Sequence, residues 1–168
     1  MSGCTESAND LCMQCALCCD GTIYDTVRIK DEDRTHLARN NITIEMTEEQ
    51  EHIHQPCQGL CGKTCSIYAT RPRTCRNFKC FVLERLENGS ITFDRAKSLV
   101  ELALRAVADV EAYALPGENR VAQRRRWRET RDDWRDNPDF YLKMMALYVV
   151  IDREFRKEGK RMLEFKTA

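Results

Sequence analysis

Apolar and polar residues change period along this chain. From Gly21 to Lys30 (G-T-I-Y-D-T-V-R-I-K), apolar side chains at Ile23, Val27 and Ile29 alternate with polar ones, the two-residue period of a short strand. Asp31 is placed to cap a helix running to about Arg39, which Asn40-Asn41 ends. Residues 42–46 read as a second strand and residues 47–51 as an acidic loop or short helical turn. Farther on, F-V-L-E-R-L and I-T-F flank Asn88-Gly89, the pattern of two short strands about a turn. Beyond it the period becomes helical. Asp94 caps a helix to about Leu115 with the stripe Ala96, Leu99, Ala103, Ala106, Val110 and Tyr113, widened by Leu102 and Val107. Pro116-Gly117 ends it, residues 118–136 read as a second helix, and Asn137 with Pro138 opens a third. The third stripe is Phe140, Met144, Leu147, Ile151 and Phe155, stopped by Gly159. This predicts an α+β chain: a small cysteine-rich module of loops and short strands (residues 11–93), then a mainly α-helical region (94–168) packed on it. Residues 1–10 read as a disordered tail, and the last nine residues, with Phe165, as a loosely held one.

The module is dominated by thiols. Cys12-x-x-Cys15-x-x-Cys18-Cys19 is one array, and Cys57, Cys61, Cys65, Cys75 and Cys80 form a second within 24 residues. A C-x-x-C turn points two sulfurs at one ion, and C-x-x-C-x-x-C resembles part of a ferredoxin loop. The adjacent Cys18 and Cys19 serve one tetrahedral ion poorly, so the spacing suggests that they face different ions or that one is a spare thiol. The metal-ligand set read from both arrays is Cys12, Cys15, Cys18, Cys19, Cys57, Cys61, Cys65, Cys75 and Cys80; Cys4 falls outside the spacing. Gly59 and Gly62 permit tight turns between them, and Ile67, Tyr68, Phe78 and Phe81 offer an apolar shell. Lys63, Arg71, Arg73, Arg76, Lys79 and Arg85 make a cationic surround expected to lower thiol pKa values. His52 and His54, just before Cys57, are either further ligands or surface histidines of an ordinary strand or loop.

Composition narrows the setting. The 168 residues carry 27 basic and 27 acidic side chains, so overall charge gives no sign of a nucleic-acid or membrane binder. No apolar run reaches the length of a membrane span, and the first residues lack the basic and apolar regions of a secretory signal. A cytoplasmic address follows as the expectation. Thiols stay reduced there, which favours metal ligation over disulfides. Cys57-x3-Cys61-x3-Cys65 lacks the spacing of radical S-adenosylmethionine clusters.

The first array together with Cys65-Ser-Ile-Tyr-Ala-Thr-Arg-Pro-Arg-Thr-Cys75-Arg-Asn-Phe-Lys-Cys80 resembles the CxxCxxCC (YkgJ-type) cysteine-cluster family, over about residues 11–93. That family is described as chelating zinc or iron. The resemblance implies Cys12, Cys15, Cys18, Cys19, Cys57, Cys65, Cys75 and Cys80 as ligands. Flagellin lysine N-methylases carry a similar cysteine module, so the resemblance also raises an S-adenosylmethionine-dependent lysine methyl transfer. No glycine-rich G-x-G-x-x-G loop accompanies it.

Residues 120–135 hold seven arginines, with Trp127 and Trp134 seven apart and therefore expected on one face. Two readings stand: a docking surface for a protein or, less favoured, a nucleic acid, and a solvated helix with i,i+4 pairs Arg125–Glu129 and Arg128–Asp132. The function expected is a cytosolic metal-binding protein holding iron, as an iron–sulfur cluster, or zinc through the two arrays. The alternatives are a methylase-like enzyme and a structural zinc interaction module. The all-sulfur donor set, the ferredoxin-like triplet and the apolar and cationic surround tilt the choice towards iron.

Overall fold

The structure is a computed structural model and describes residues 8–47, 49–130, 133–157 and 162–163. Cys4, Gly159 and Phe165 lie outside the described residues, as do most of the two expected tails. The architecture is α+β, with the small antiparallel sheets in the N-terminal half and the long helices in the C-terminal half. The chain divides into two compact units, with the boundary between Phe78 and Lys79.

The cysteine-rich unit, Asn9–Phe78, is built from short pieces. Helix α1, Ala8–Cys15, carries Cys12 and Cys15, which were expected in a turn. Three residues apart on a helix, they still share a face. Ala16 has φ 56° and breaks α1. Strand β1 is Thr26–Arg28, and a single tight turn at Asp31–Asp33 leads into α2, Arg34–Arg39. Asn41 in the left-handed region (φ 55°) ends α2, as its Asn-Asn pair foretold. Strands β2 (Glu45–Thr47) and β3 (Gln50–His54) follow and pair through Thr47 and Gln50, so Thr47, Gln50 and Glu51, expected in a loop or short helical turn, belong to strands. The sheet order is β1–β3–β2, all antiparallel, with Val27 opposite Ile53 and Glu45 opposite His52. Strands β4 (Leu60–Cys61) and β5 (Thr64–Cys65) form a second hairpin turned at Gly62, whose φ of 61° suits glycine. Helix α3, Arg73–Asn77, carries Cys75 and starts after Pro72. One core cluster is Ile29, Leu37, Ile42, Ile53 and Ile67, with Val27, Ile44, Cys57 and Cys65 packed against it; Leu11, Leu17 and Ile23 are buried as well.

The helical unit begins at Lys79. Its first element overturns an expectation: F-V-L-E-R-L-E is helix α4, Phe81–Glu87, rather than a strand. A segment this short, with three apolar residues together and a fourth at Leu86, fits either period. Gly89 (φ 75°) here follows a helix instead of turning a hairpin. Helix α5, Phe93–Glu111, is capped by the Thr92 side chain, which accepts from the Arg95 N–H, while Asp94 sits in the first turn. Ala96, Leu99, Ala103 and Val110 are buried as the stripe requires, but Leu102 faces solvent and does not widen it. Helix α6 is Arg120–Glu129, shorter than expected and capped by Asn119. Helix α7, Pro138–Val150, is capped by Asn137 and passes into a wider turn at Ile151–Phe155. All five residues of its predicted stripe are buried to 2% exposure or less.

The arginine-rich segment is divided: Arg120 and Arg124 are buried and Arg126 half-buried, while Arg125, Arg128 and Arg135 are exposed. Arg120 pairs with Glu111, Arg124 donates to the Tyr148 hydroxyl at 3.0 Å, and Arg126 holds Glu118 at 2.7 Å while lying over the Phe140 ring. Trp127 is buried and stacks on Tyr148, whereas Trp134 is exposed in a separate turn, so the two do not share a helix face. Arg131 and Asp132 lie outside the described residues. Among the described residues, no helix is long and apolar enough to cross a membrane.

Candidate metal centre

Four thiols of the cysteine-rich unit share one neighbourhood. Burial pushes the Cys19 thiol up to about 12, and the negative charges of Cys75, Cys57, Cys65 and Asp20 push it the same way. Cys75 is lifted to about 12 by burial and then by Cys57 and Cys65, with Arg71 pulling it back and Asp33 adding to the rise. Cys57 is raised by burial, against the Gly59 N–H that donates to its sulfur, and Cys65 adds to the rise. The mutual action of these charges groups Cys19, Cys57, Cys65 and Cys75. They come from three places: the turn after α1, the hairpin region 57–65 and helix α3.

The local chain explains how they meet. The Cys57 N–H donates to the Cys19 carbonyl at 2.8 Å, which ties the two arrays directly. A cis peptide joins Gln55 to Pro56 just ahead of Cys57. The Gln58 side chain accepts from the Thr43 N–H at 2.6 Å and clamps the loop to the sheet side. Gly59 matters for closeness rather than turning: a β-carbon there would sit 3.3 Å from Ile42 and from Ile67. The Gly59 carbonyl accepts from both the N–H and the hydroxyl of Ser66, fixing Cys65 next door. Cys75 is placed by Asp33, whose buried carboxylate accepts from the Lys30 N–H at 3.1 Å and from the Arg73 N–H at 3.0 Å. Asp33, not the expected Asp31, occupies the N-cap position of α2, with its side chain spent on Lys30 and Arg73 instead of on the helix.

The remaining candidates are placed as follows. Cys12 is exposed, and Cys15 and Cys18 are half-buried, on α1 and the turn after it. Cys61 is exposed beside the hairpin turn, next to Leu60, which pairs with Cys65. Neighbours in a strand face opposite sides, so Cys61 points away from the side of Cys65. Cys80 belongs to the helical unit, where it precedes α4. His52 and His54 lie on β3.

The shell differs from expectation in two respects. Ile67 lies in the core with Cys57 and Cys65, and Phe78 meets Tyr24 edge-on at 5.1 Å, but Phe81 belongs to the helical unit beneath Arg85. The cations do not lower the thiol pKa values overall. Arg71 lies 3.7 Å over the Tyr68 ring, Arg73 reaches Glu32, Lys79 reaches Glu87, and Arg85 reaches Glu154. Burial and thiolate–thiolate repulsion outweigh what Arg71 offers Cys75. By themselves Cys19, Cys57 and Cys75 are held towards the protonated form; a multivalent cation among them reverses that balance. Four soft donors, half-buried and backed by an aliphatic core, fit a thiophilic metal.

Fold and site together define a cysteine-rich metal-binding protein. The chain belongs to the CxxCxxCC family, "putative zinc- or iron-chelating domain", which matches residues 11–97, more than half of the sequence. No curated protein and no solved structure matches it.

Proposed function

We propose that Cys19, Cys57, Cys65 and Cys75 hold an iron–sulfur cluster, and that the protein works in a compartment where thiols stay reduced, the cytoplasm. The observation that carries this reading is the mutual electrostatic influence of four half-buried thiols drawn from three parts of the chain, a set of soft donors in one neighbourhood. Iron is favoured over zinc by three features: the donor set is all sulfur, C-x-x-C-x-x-C precedes Cys19, and apolar side chains back the site. When bound, such a cluster supplies a fixed cross-link and a one-electron couple. The chain's own part is to orient the sulfurs, through Asp33, Gln58 and the Cys19–Cys57 backbone bond, and to exclude water. Cys12, Cys15 and Cys18 add three more thiols to the same unit.

Zinc is the competing occupant, because a closed four-thiolate shell is also the structural zinc arrangement. Protein purified without oxygen decides between them by its absorption spectrum with iron, sulfide and zinc analysis. Matching iron and sulfide with absorption near about 400 nm, where thiolate-to-iron charge transfer is expected for such ligation, supports the cluster. A colourless protein holding stoichiometric zinc refutes it.

A further inference from the structure

Outside the thiols, strand β3 and its neighbour β2 bring two histidines and a carboxylate together. His52 and His54 are two apart on β3 and so share a face, and Glu45 on β2 lies directly opposite His52. His52 Nε2 is 3.2 Å from His54 Nε2, which is 3.1 Å from Glu45 Oε2. One ligand atom from each of the three lies within 4.8 Å of the others. Two ligand atoms held about 2.1 Å from one ion at octahedral or tetrahedral angles are about 3.0–3.4 Å apart, which matches both close contacts.

We propose that Glu45, His52 and His54 form a second metal site, a two-histidine, one-carboxylate triad for a divalent first-row transition ion. Three observations carry it. The contacts have ligand-to-ligand spacing around a common point. His52 is 93% buried although its face of the sheet is turned from the aliphatic core. Its Nδ1 lies 3.4 Å from the Gln50 carbonyl, a weak bond that holds the ring with Nε2 towards the triad; ligating histidines are held in this way by their second nitrogen.

The site is distinct from the thiol centre. Ile53, between the histidines, points into the core against which Cys57 and Cys65 pack, so alternation sends the triad to the opposite face. Imidazole and carboxylate donors select zinc, iron(II), cobalt or nickel without the thiolates' preference for a closed shell, and three ligands leave positions open. On the β1 side, Arg28 pairs in register with His52 and Thr26 with His54. The Arg28 cation tempers affinity, which keeps the site exchangeable.

The test uses the whole protein with its thiols already loaded, titrated with Zn²⁺ and followed by imidazole ¹⁵N resonances. His36, the third histidine, is the internal control. The expected result is one further equivalent of zinc that shifts His52 and His54 Nε2 and leaves His36 in place. Glu45→Gln and His54→Ala, both at exposed positions, are each expected to weaken this binding about tenfold or more and to keep the thiol-held metal. The proposal is overturned if no further equivalent binds at about 100 µM zinc, a weak limit for a specific site. It is also overturned if His36 shifts equally, if both variants bind as the parent does, or if both shed the thiol-held metal. The thiol-held metal is counted before the titration, so its own absence is recognised separately.

Discussion

The two units are stabilised in different ways. The helical unit buries a continuous set of large side chains: Leu99, Val100, Phe140, Met144, Leu147, Tyr148, Ile151 and Phe155 are all at most 5% exposed. It also pairs buried charges, as in Arg156–Asp152 at 2.8 Å, whose carboxylate also accepts the Met162 and Leu163 N–H groups. The cysteine-rich unit spans about 70 residues and, among the described residues, buries eight aliphatic side chains, on strands of two to five residues and short helices. Small units with so little core need a cross-link or a metal. The helical unit is expected to fold on hydrophobic burial, and the cysteine-rich unit to require its metal for folding.

That contrast can be broken or sharpened in steps. The largest effect belongs to Cys75→Ser or Cys57→Ser, each expected to remove the tetrad's metal and unfold the cysteine-rich unit. Cys61→Ser should change stability by no more than about 0.5 kcal/mol and keep the metal, both read by metal analysis and circular dichroism. Next, Leu147→Ala in the other unit should cost about 2–5 kcal/mol in denaturant unfolding, followed by the fluorescence of Trp127 and Trp134, while metal content stays the same. Asp33→Ala removes the acceptor for the Arg73 N–H and should cost about 1–2 kcal/mol; lowered metal affinity at unchanged stoichiometry would show that α3 has lost its anchor. The smallest effect concerns acid. Hydrogen bonding to Arg126 lowers the Glu118 pKa, against its burial. Its contribution is therefore full above the ordinary carboxylate range and lost as pH falls through the lowered folded value. Glu118→Gln should lower the helical unit's stability slightly at neutral pH and leave it almost unchanged in acid, which flattens the acid limb of its stability curve.

Sequence reading served the helical unit best, because a 3.6-residue period sustained over α7 names its core outright. It failed at Phe81–Glu87, where the run is too short for its period to choose between helix and strand. In the cysteine-rich unit the thiols were visible, but their grouping was not, since Cys19, Cys57 and Cys75 meet only through non-local contacts. Asp33 was read as part of a helix start, and its bond to Arg73, 40 residues away, leaves no local trace. Glu45 was invisible as a partner of His52 because β-register depends on the fold. The arginine segment misled for a related reason: Arg120 and Arg124 read as surface by composition, yet each is buried against a partner on another segment.

The most direct measurement is amide hydrogen exchange across the whole chain, with metal bound and after its removal under reducing, oxygen-free conditions. If metal holds the cysteine-rich unit together, β1, β3 and α3 lose protection on removal, while α5 and α7 keep theirs. Protection retained in β3 and α3 without metal would contradict a fold that depends on its thiol centre.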